Sequence, residues 1–189
     1  HALAERVGSG ELEVGRDDVE ILLKHVDQVW DRLEFRTPWA SARERGRVRD
    51  ALERFLAWHH DNPRTLVDTE VRFSSVVEVA GAVDGETEQV RLTGTVDRLE
   101  IDHECHVVIV DLKTARTPPS DKSVQADPQL ALYQYAVDAG AVGDALPGAR
   151  AGGAELVQLG SLTPGSARVQ PQAPQPDGSP GREQLRLSL

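Results

Sequence analysis

The chain has a single cysteine, Cys105, and that scarcity removes several classes of protein at once. One thiol forms no internal disulfide and builds neither a structural zinc site nor an iron–sulfur cluster by itself, so a reducing, cytoplasmic setting is expected. No run approaches the roughly 18 apolar residues of a membrane span, and the opening residues lack a basic stretch followed by an apolar segment and a cleavage site. A membrane is therefore not an expected partner. The chain also lacks a Gly-x-x-x-x-Gly-Lys-Ser/Thr loop, so an ATP-driven motor has to lie outside this segment. Positive charge is in deficit, with 21 Lys and Arg against 31 Asp and Glu and a net charge of −10. Phosphate contacts supply most non-specific affinity for nucleic acid, so a DNA substrate would have to be delivered by something else.

What is present is an ordinary globular composition, 39% hydrophobic and 28% charged over 189 residues, which suits one domain around one core. The sequence opens at His1 without an initiator methionine, in what reads as mid-helix, and stops after a short periodic stretch. It reads as a fragment of a larger protein, with a domain over 1–160 followed by a further segment, 161–189.

The N-terminal third is expected to be helical. After a first helical stretch, His1 to Val7, and a glycine loop, Asp17 with Glu20 offers a capping pair. Val19, Leu22, Leu23, Val26, Val29, Trp30 and Leu33 then recur at helical spacing. Thr37-Pro38 breaks that pattern, and Ser41 with Glu44 is expected to cap a second helix carrying Val48, Leu52, Phe55 and Leu56. Beyond Asn62-Pro63 the period moves towards two, which predicts a strand over Leu66 to Val79, a turn at Asp84-Gly85 and a second strand from Val90 to Ile101. Val107 to Val110 is apolar on both faces, as in a central strand. A helix from about Pro128 to Val142 and a strand from Ala154 to Leu159 complete the pattern. The Pro-, Gln-, Gly- and Ser-rich stretch from Thr163 to Arg182 reads as an extended linker, ending in the start of a helix at Glu183.

Chemistry concentrates between residues 94 and 114. Gly94-Thr95-Val96-Asp97 sits on one predicted strand, and Val110-Asp111-Leu112-Lys113-Thr114 closes the next. If the two pair antiparallel, Asp97 stands across from Asp111 with both side chains on one face, and Lys113, two residues on, shares it. Two adjacent carboxylates resist joint ionisation unless a cation neutralises them, and Mg²⁺ or Mn²⁺ prefers oxygen ligands of this kind. A lysine beside the ion positions the attacking water and offsets charge on a phosphate. A lone Asp-x-Lys is usually no more than the polar end of a buried strand.

The wider pattern, Gly-x-x-Asp, then Asp-x-Lys, then Gln129-x-x-x-Tyr133 on a helix, resembles the RecB branch of the PD-(D/E)xK nucleases. Within it the sequence resembles the nuclease modules of AddAB- and AdnAB-like helicase-nucleases. The resemblance implies an α/β fold with a central mixed β-sheet flanked by helices, restriction-endonuclease-like. It implies a divalent-metal-dependent DNA nuclease with catalytic Asp97, Asp111 and Lys113. His1, in a His-x-Leu context with Leu3, Asp97, Asp111 and the carbonyl of Leu112 are implied as ligands of Mg²⁺ or Mn²⁺. Gln129 and Tyr133, four apart and so on one helix face, are expected to position DNA. Glu70, in Thr69-Glu70-Val71-Arg72-Phe73, is expected to stand behind the ligands without binding the ion.

The family context implies processing of DNA double-strand-break ends, with DNA fed by a helicase in the same chain or complex and a partner helicase-nuclease subunit. The Fe–S cysteines of AddB-like nucleases, one before the His helix and three after the last helix, would lie in regions outside this segment, so a cluster is not supported within it. Two other readings stay open. One is a non-catalytic scaffold or DNA-end sensor on the same fold, and the other is an RNA nuclease or a CRISPR-adaptation nuclease with the same site. His103-Glu104-Cys105-His106 is read as a turn, and His59-His60 as imidazoles at a helix C-terminus.

Overall fold

The structure is a computed structural model that describes residues 1–80, 87–142, 146–160, 166–176 and 179. It divides into two units, which are taken in turn: His1–Pro63 with Leu112–Pro118 and Val157–Val169, and Arg64–Asp111 with Pro119–Leu156 and Gln170–Leu189.

The first unit holds three helices, α1 (Ala2–Gly8), α2 (Val19–Trp30) and α3 (Pro38–Asp61). The apolar stripe of α2 buries Leu22 and Leu23, and α3 buries Phe55 and Leu56. Polar contacts fix the pairing of the two helices. Glu20 meets Arg49 at 2.7 Å, Asp27 takes a bidentate Arg45 with both bonds at 2.8 Å, and Trp30 Nε1 donates to Ser41 Oγ at 3.0 Å. Rising numbers on one helix meet falling numbers on the other, so α2 and α3 run antiparallel.

Both caps differ from expectation. The N-cap of α2 is Asp18, not Asp17, and its carboxylate accepts from the Gly15 N–H outside the helix. Thr37, not Ser41, caps α3: it accepts from Ala40 N while Pro38, which has no N–H to leave unpaired, takes the first turn. Ser41 is free for Trp30 as a result. Leu33 falls beyond the end of α2 and is exposed. His59 stacks on Phe55, and His60 Nε2 bonds the Val14 carbonyl at 3.0 Å, so both imidazoles serve the local structure.

The second unit is built on a five-stranded sheet in the order β1-β2-β3-β4-β5. Its strands are β1 (Thr65–Ala80), β2 (Thr87–Ile101), β3 (Val107–Lys113), β4 (Ala151–Gln158) and β5 (Arg168–Gln172). The first three are antiparallel neighbours. Val107 N donates to Arg150 O and Leu159 N to Lys113 O, so β3 and β4 advance together, which makes the sheet mixed. The β1–β2 ladder slips by one residue between Leu66 and Asp68, a bulge at Val67. The turn expected at Asp84-Gly85 lies outside the described residues.

Between β3 and β4 come α4 (Asp121–Gln125), which the sequence pattern did not predict, and α5 (Pro128–Asp138). Helix α5 stops four residues short of Val142. Gly140 adopts φ +76°, and the Ala141 N to Ala136 O and Gly140 N to Val137 O bonds close the helix end with a Schellman motif. Leu130, Ala136 and Val137 of α5 and Val96, Leu99, Ile109 and Leu156 of the sheet form the core.

The expected linker needs correction at residues 168–175, which supply β5 and three buried glutamines, Gln170, Gln172 and Gln175. Gln172 Nε2 donates to the Val124 and Asp127 carbonyls at 2.8 and 3.0 Å, and Gln134 donates to Gln172 Oε1 at 2.9 Å. A glutamine amide both donates and accepts, so it satisfies carbonyls around a helix end that an apolar strand would strand without partners. The helix start expected at Glu183 lies outside the described residues. Among the described residues no helix is long and apolar enough to cross a membrane.

Candidate metal centre

Glu70 stands opposite Asp97 at the one gap in the ladder beyond the bulge. Thr69 pairs with Arg98 and Val71 with Val96, which leaves Glu70 and Asp97 facing each other between them. Glu70 holds φ +51°, a left-handed conformation that costs a residue with a β-carbon about 1–3 kcal/mol in the middle of a strand. Strain of this kind persists where the surroundings enforce it and gathers at functional sites. A carboxylate oxygen of Glu70 lies within 4.8 Å of one of Asp97. Both ionised, they repel by about 3 kcal/mol or more at an effective dielectric of about 20. Neither side chain is fully exposed. Hard oxygen donors held this close suit a small divalent cation, so the donor set fits Mg²⁺ or Mn²⁺.

On the other flank, Arg98 pairs with Val110, and Asp97 and Asp111 are the next residues outward on β2 and β3. Asp111 and Leu112 are buried at 5% and 4% exposure, and Lys113 ends the strand half-buried. The Lys113 carbonyl accepts from Leu159 N and Gly160 N, which ties the end of β3 to the exit of β4. His1 is the exposed N-cap residue of α1 and lines a cavity of about 480 Å³ in the first unit.

Gln129 and Tyr133 are together, Gln129 on the surface and Tyr133 buried. Gln129 Nε2 donates to Tyr133 Oη at 2.8 Å, and Tyr133 Oη donates to Thr95 O at 3.1 Å, two residues before Asp97. The buried Tyr133 ring meets Phe73 edge-on with centroids 5.9 Å apart. Gly94 is required beneath them, since a Cβ there would sit 2.7 Å from the Phe73 ring. Tyr133 therefore braces the strand that carries Asp97, and its ring is buried against Phe73. Glu70 stands beside Asp97, on the neighbouring strand.

Four charged residues under β2 have no motif to mark them. Arg64 binds Glu100 at 2.7 Å and also binds Glu155, while Arg98 binds Glu100. Glu100 is fully buried, with Arg98 at 3% and Glu155 at 5% exposure. Burial is the largest influence on Glu155 and raises its pKa, and Arg64 only partly opposes it. For Arg64, burial acts downward but is outweighed by the two glutamates, so its pKa rises. A charge pattern of Arg-x-Glu on a buried strand was the available signal. His103 to Cys105 form the turn between β2 and β3, where Cys105 takes φ +63° and Asp102 Oδ1 accepts from the Glu104 and His106 N–H groups.

A mixed sheet carrying facing carboxylates on β1 and β2 and an Asp-x-Lys end on β3 defines a protein of the nuclease type. The chain belongs to the PD-(D/E)XK nuclease superfamily, whose sequence profile matches residues 1–187. Members of that superfamily are usually nucleases and typically use divalent metals. No curated protein matches the chain. Among solved structures it is similar to that described as "Crystal structure of SSO0001", with 18% identity and a TM-score of 0.41 over 92% of this chain and 67% of that one.

Proposed function

We propose that this domain is a divalent-metal-dependent deoxyribonuclease of the RecB branch, acting on DNA ends delivered by a helicase in the same chain or complex. The observation that carries the reading is the Glu70–Asp97 pair, two carboxylates forced together by a left-handed strand residue. Asp97, Asp111 and Glu70 would hold the ion with the Leu112 carbonyl, and His1 joins them on the strength of the resemblance. The ion, when bound, supplies Lewis acidity toward the phosphate and the attacking water. Lys113 orients that water and offsets negative charge as the phosphodiester is attacked. Tyr133 keeps the Asp97 strand in place, and Gln129 anchors Tyr133. The acidity of the chain, −10 overall, accords with a substrate brought by a motor.

Linear DNA incubated with the domain tests this. Cleavage is expected with Mg²⁺ or Mn²⁺, none with EDTA, and none from Asp97→Ala, Asp111→Ala or Lys113→Ala variants that remain folded. Activity that survives chelation sinks the metal mechanism, and metal binding without any cleavage assigns the domain to the scaffold reading.

A further inference from the structure

Helix α3 turns two different faces outward. On one, Arg45 and Arg49 are each held by an acid of α2, Asp27 and Glu20. On the other, the charges do not balance. Glu44 alone receives Arg47, lies 3.6 Å from Arg116 Nη2 and lies 3.9 Å from Arg43 Nε, all through the same oxygen. Three guanidiniums on one carboxylate leave a surplus of two positive charges, in a chain whose total is strongly negative. Arg43 and Arg116 remain mostly exposed, at 64% and 51% of their side chains.

Trp39 lies on the same stripe. Residues 39, 43 and 47 recur at four-residue spacing and so share one helix face, with Trp39 one turn before Arg43. Its indole is 72% exposed, the most exposed large apolar side chain described. An exposed Trp leaves a large flat apolar surface in water, where it gains most by taking a planar partner. Behind the arginines opens the cavity of about 480 Å³, walled by Arg47, Arg54, Arg116 and Thr114 and by the acids Glu44 and Asp50. Arg54 is buried there and donates to the Leu159 carbonyl at 2.8 Å, which stiffens the floor.

We propose that this face is a track for a single strand of nucleic acid, in which one base stacks on Trp39 and successive phosphates draw Arg43, Arg47 and Arg116 away from Glu44. The assignment rests on the reading of the domain as a DNA nuclease and names where its substrate strand runs in the first unit. An aromatic platform beside a row of arginines is the arrangement that holds unpaired strands without sequence preference, and a duplex, with its bases stacked inside, has nothing to offer Trp39. Exposed ion pairs such as those on Glu44 are weak, so a phosphate displaces the carboxylate easily. Glu44 then serves as the resident anion of an empty track.

The test is anisotropy titration of the whole chain with a fluorescent oligothymidylate of roughly 15 nucleotides, in EDTA so that cleavage plays no part. Trp39→Ala is expected to weaken binding roughly 5- to 100-fold and Trp39→Phe to restore most of it. Arg43→Ala and Arg116→Ala should each lower the salt slope by about 0.7, the single-strand value per phosphate contact. Glu44→Gln should tighten binding, a sign that a structural role for Glu44 does not produce. Unchanged affinity in folded Trp39→Ala and Arg116→Ala overturns the proposal. So does equal sensitivity for a duplex of the same length. Hydrolysis of a small phosphodiester with Mn²⁺ separates this from the catalytic reading: Trp39→Ala should leave it unchanged, whereas absence of that activity in the parent chain counts against the nuclease and leaves the binding result to stand by itself.

Discussion

Tyr133 reaches from α5 to donate its hydroxyl to the carbonyl of Thr95, two residues before Asp97 on β2. The bond falls two residues from the point where the ladder with β1 is interrupted at Glu70, so the side chain anchors β2 at Thr95, paired with Arg72, close to that gap. Tyr133→Phe keeps the ring against Phe73 and removes only the bond, and it should lower stability by about 0.5–1.5 kcal/mol. Nuclease turnover should fall further than that loss of stability explains, because Asp97 is no longer held. Gln129→Ala, one bond further out, should do less to both. Denaturant titration and DNA cleavage on the same preparations check the order, and a Tyr133→Phe variant with wild-type turnover removes the bracing role.

Glu70→Gly should make the metal-free protein more stable. The substitution relieves a left-handed residue and a carboxylate repulsion together, worth about 1 kcal/mol or more. With saturating Mn²⁺ the order should reverse, since an ion at about 100 times its Kd adds about 2.7 kcal/mol only to a protein that binds it. Melting temperatures in EDTA and in Mn²⁺ should therefore cross between the two proteins. Parallel shifts would take Glu70 out of the ligand set.

Gly94→Ala places a methyl group 2.7 Å from the Phe73 ring. A destabilisation of about 1–3 kcal/mol is expected from the overpacking, with loss of turnover as β2 shifts. Phe73→Leu in the same chain should recover part of both. A double-mutant cycle that shows no coupling between the two positions contradicts the contact as the cause.

The raised pKa of Glu155 sets a sign for pH dependence. A carboxyl whose folded value lies above its unfolded one stabilises the fold while it is protonated, and that contribution disappears as pH climbs from the ordinary carboxyl range through the folded value. The stability of the native chain relative to Glu155→Gln should therefore fall as pH rises from about 4 towards neutrality. Thermal melts of both across that range decide it. A difference that grows with pH would mean that Arg64 outweighs burial.

The strands bearing Asp97 and Asp111 and the helix bearing Tyr133 were legible because each combines a period with a polar residue placed against it. Strand β5 was not, because its inward residues are glutamines, which look like linker in a sequence. Their burial makes sense only once the carbonyls of Val124 and Asp127 are in front of them. The cap of α3 lies four residues before Ser41 because Thr37-Pro38, which ends the periodic pattern of α2, also starts a helix when Pro takes its first turn. Glu70 was noticed by its strand context, but nothing in Thr69-Glu70-Val71 announces a left-handed backbone, since that conformation is imposed by tertiary surroundings and the residue is not glycine. The arginine surplus around Glu44 was equally hidden, because Arg116 arrives from a distant loop.

The bulge at Val67 lets one strand keep two appointments. Before it, Leu66 pairs with Glu100, and after it Asp68 pairs with Leu99, so the strand counts one residue more than its partner across that step. In an unbroken count carried on from Leu66, Thr69 would face Asp97 and the carboxylate of Glu70 would turn to the opposite side. In an unbroken count carried back from Asp68, Glu70 would keep its place but the chain entering at Arg64 would be displaced by one residue, away from Glu100 and Glu155. Deleting Val67 therefore forces a choice between the buried ion network and the acidic pair, and a relative of this chain without that extra residue has to solve one of the two problems with different side chains.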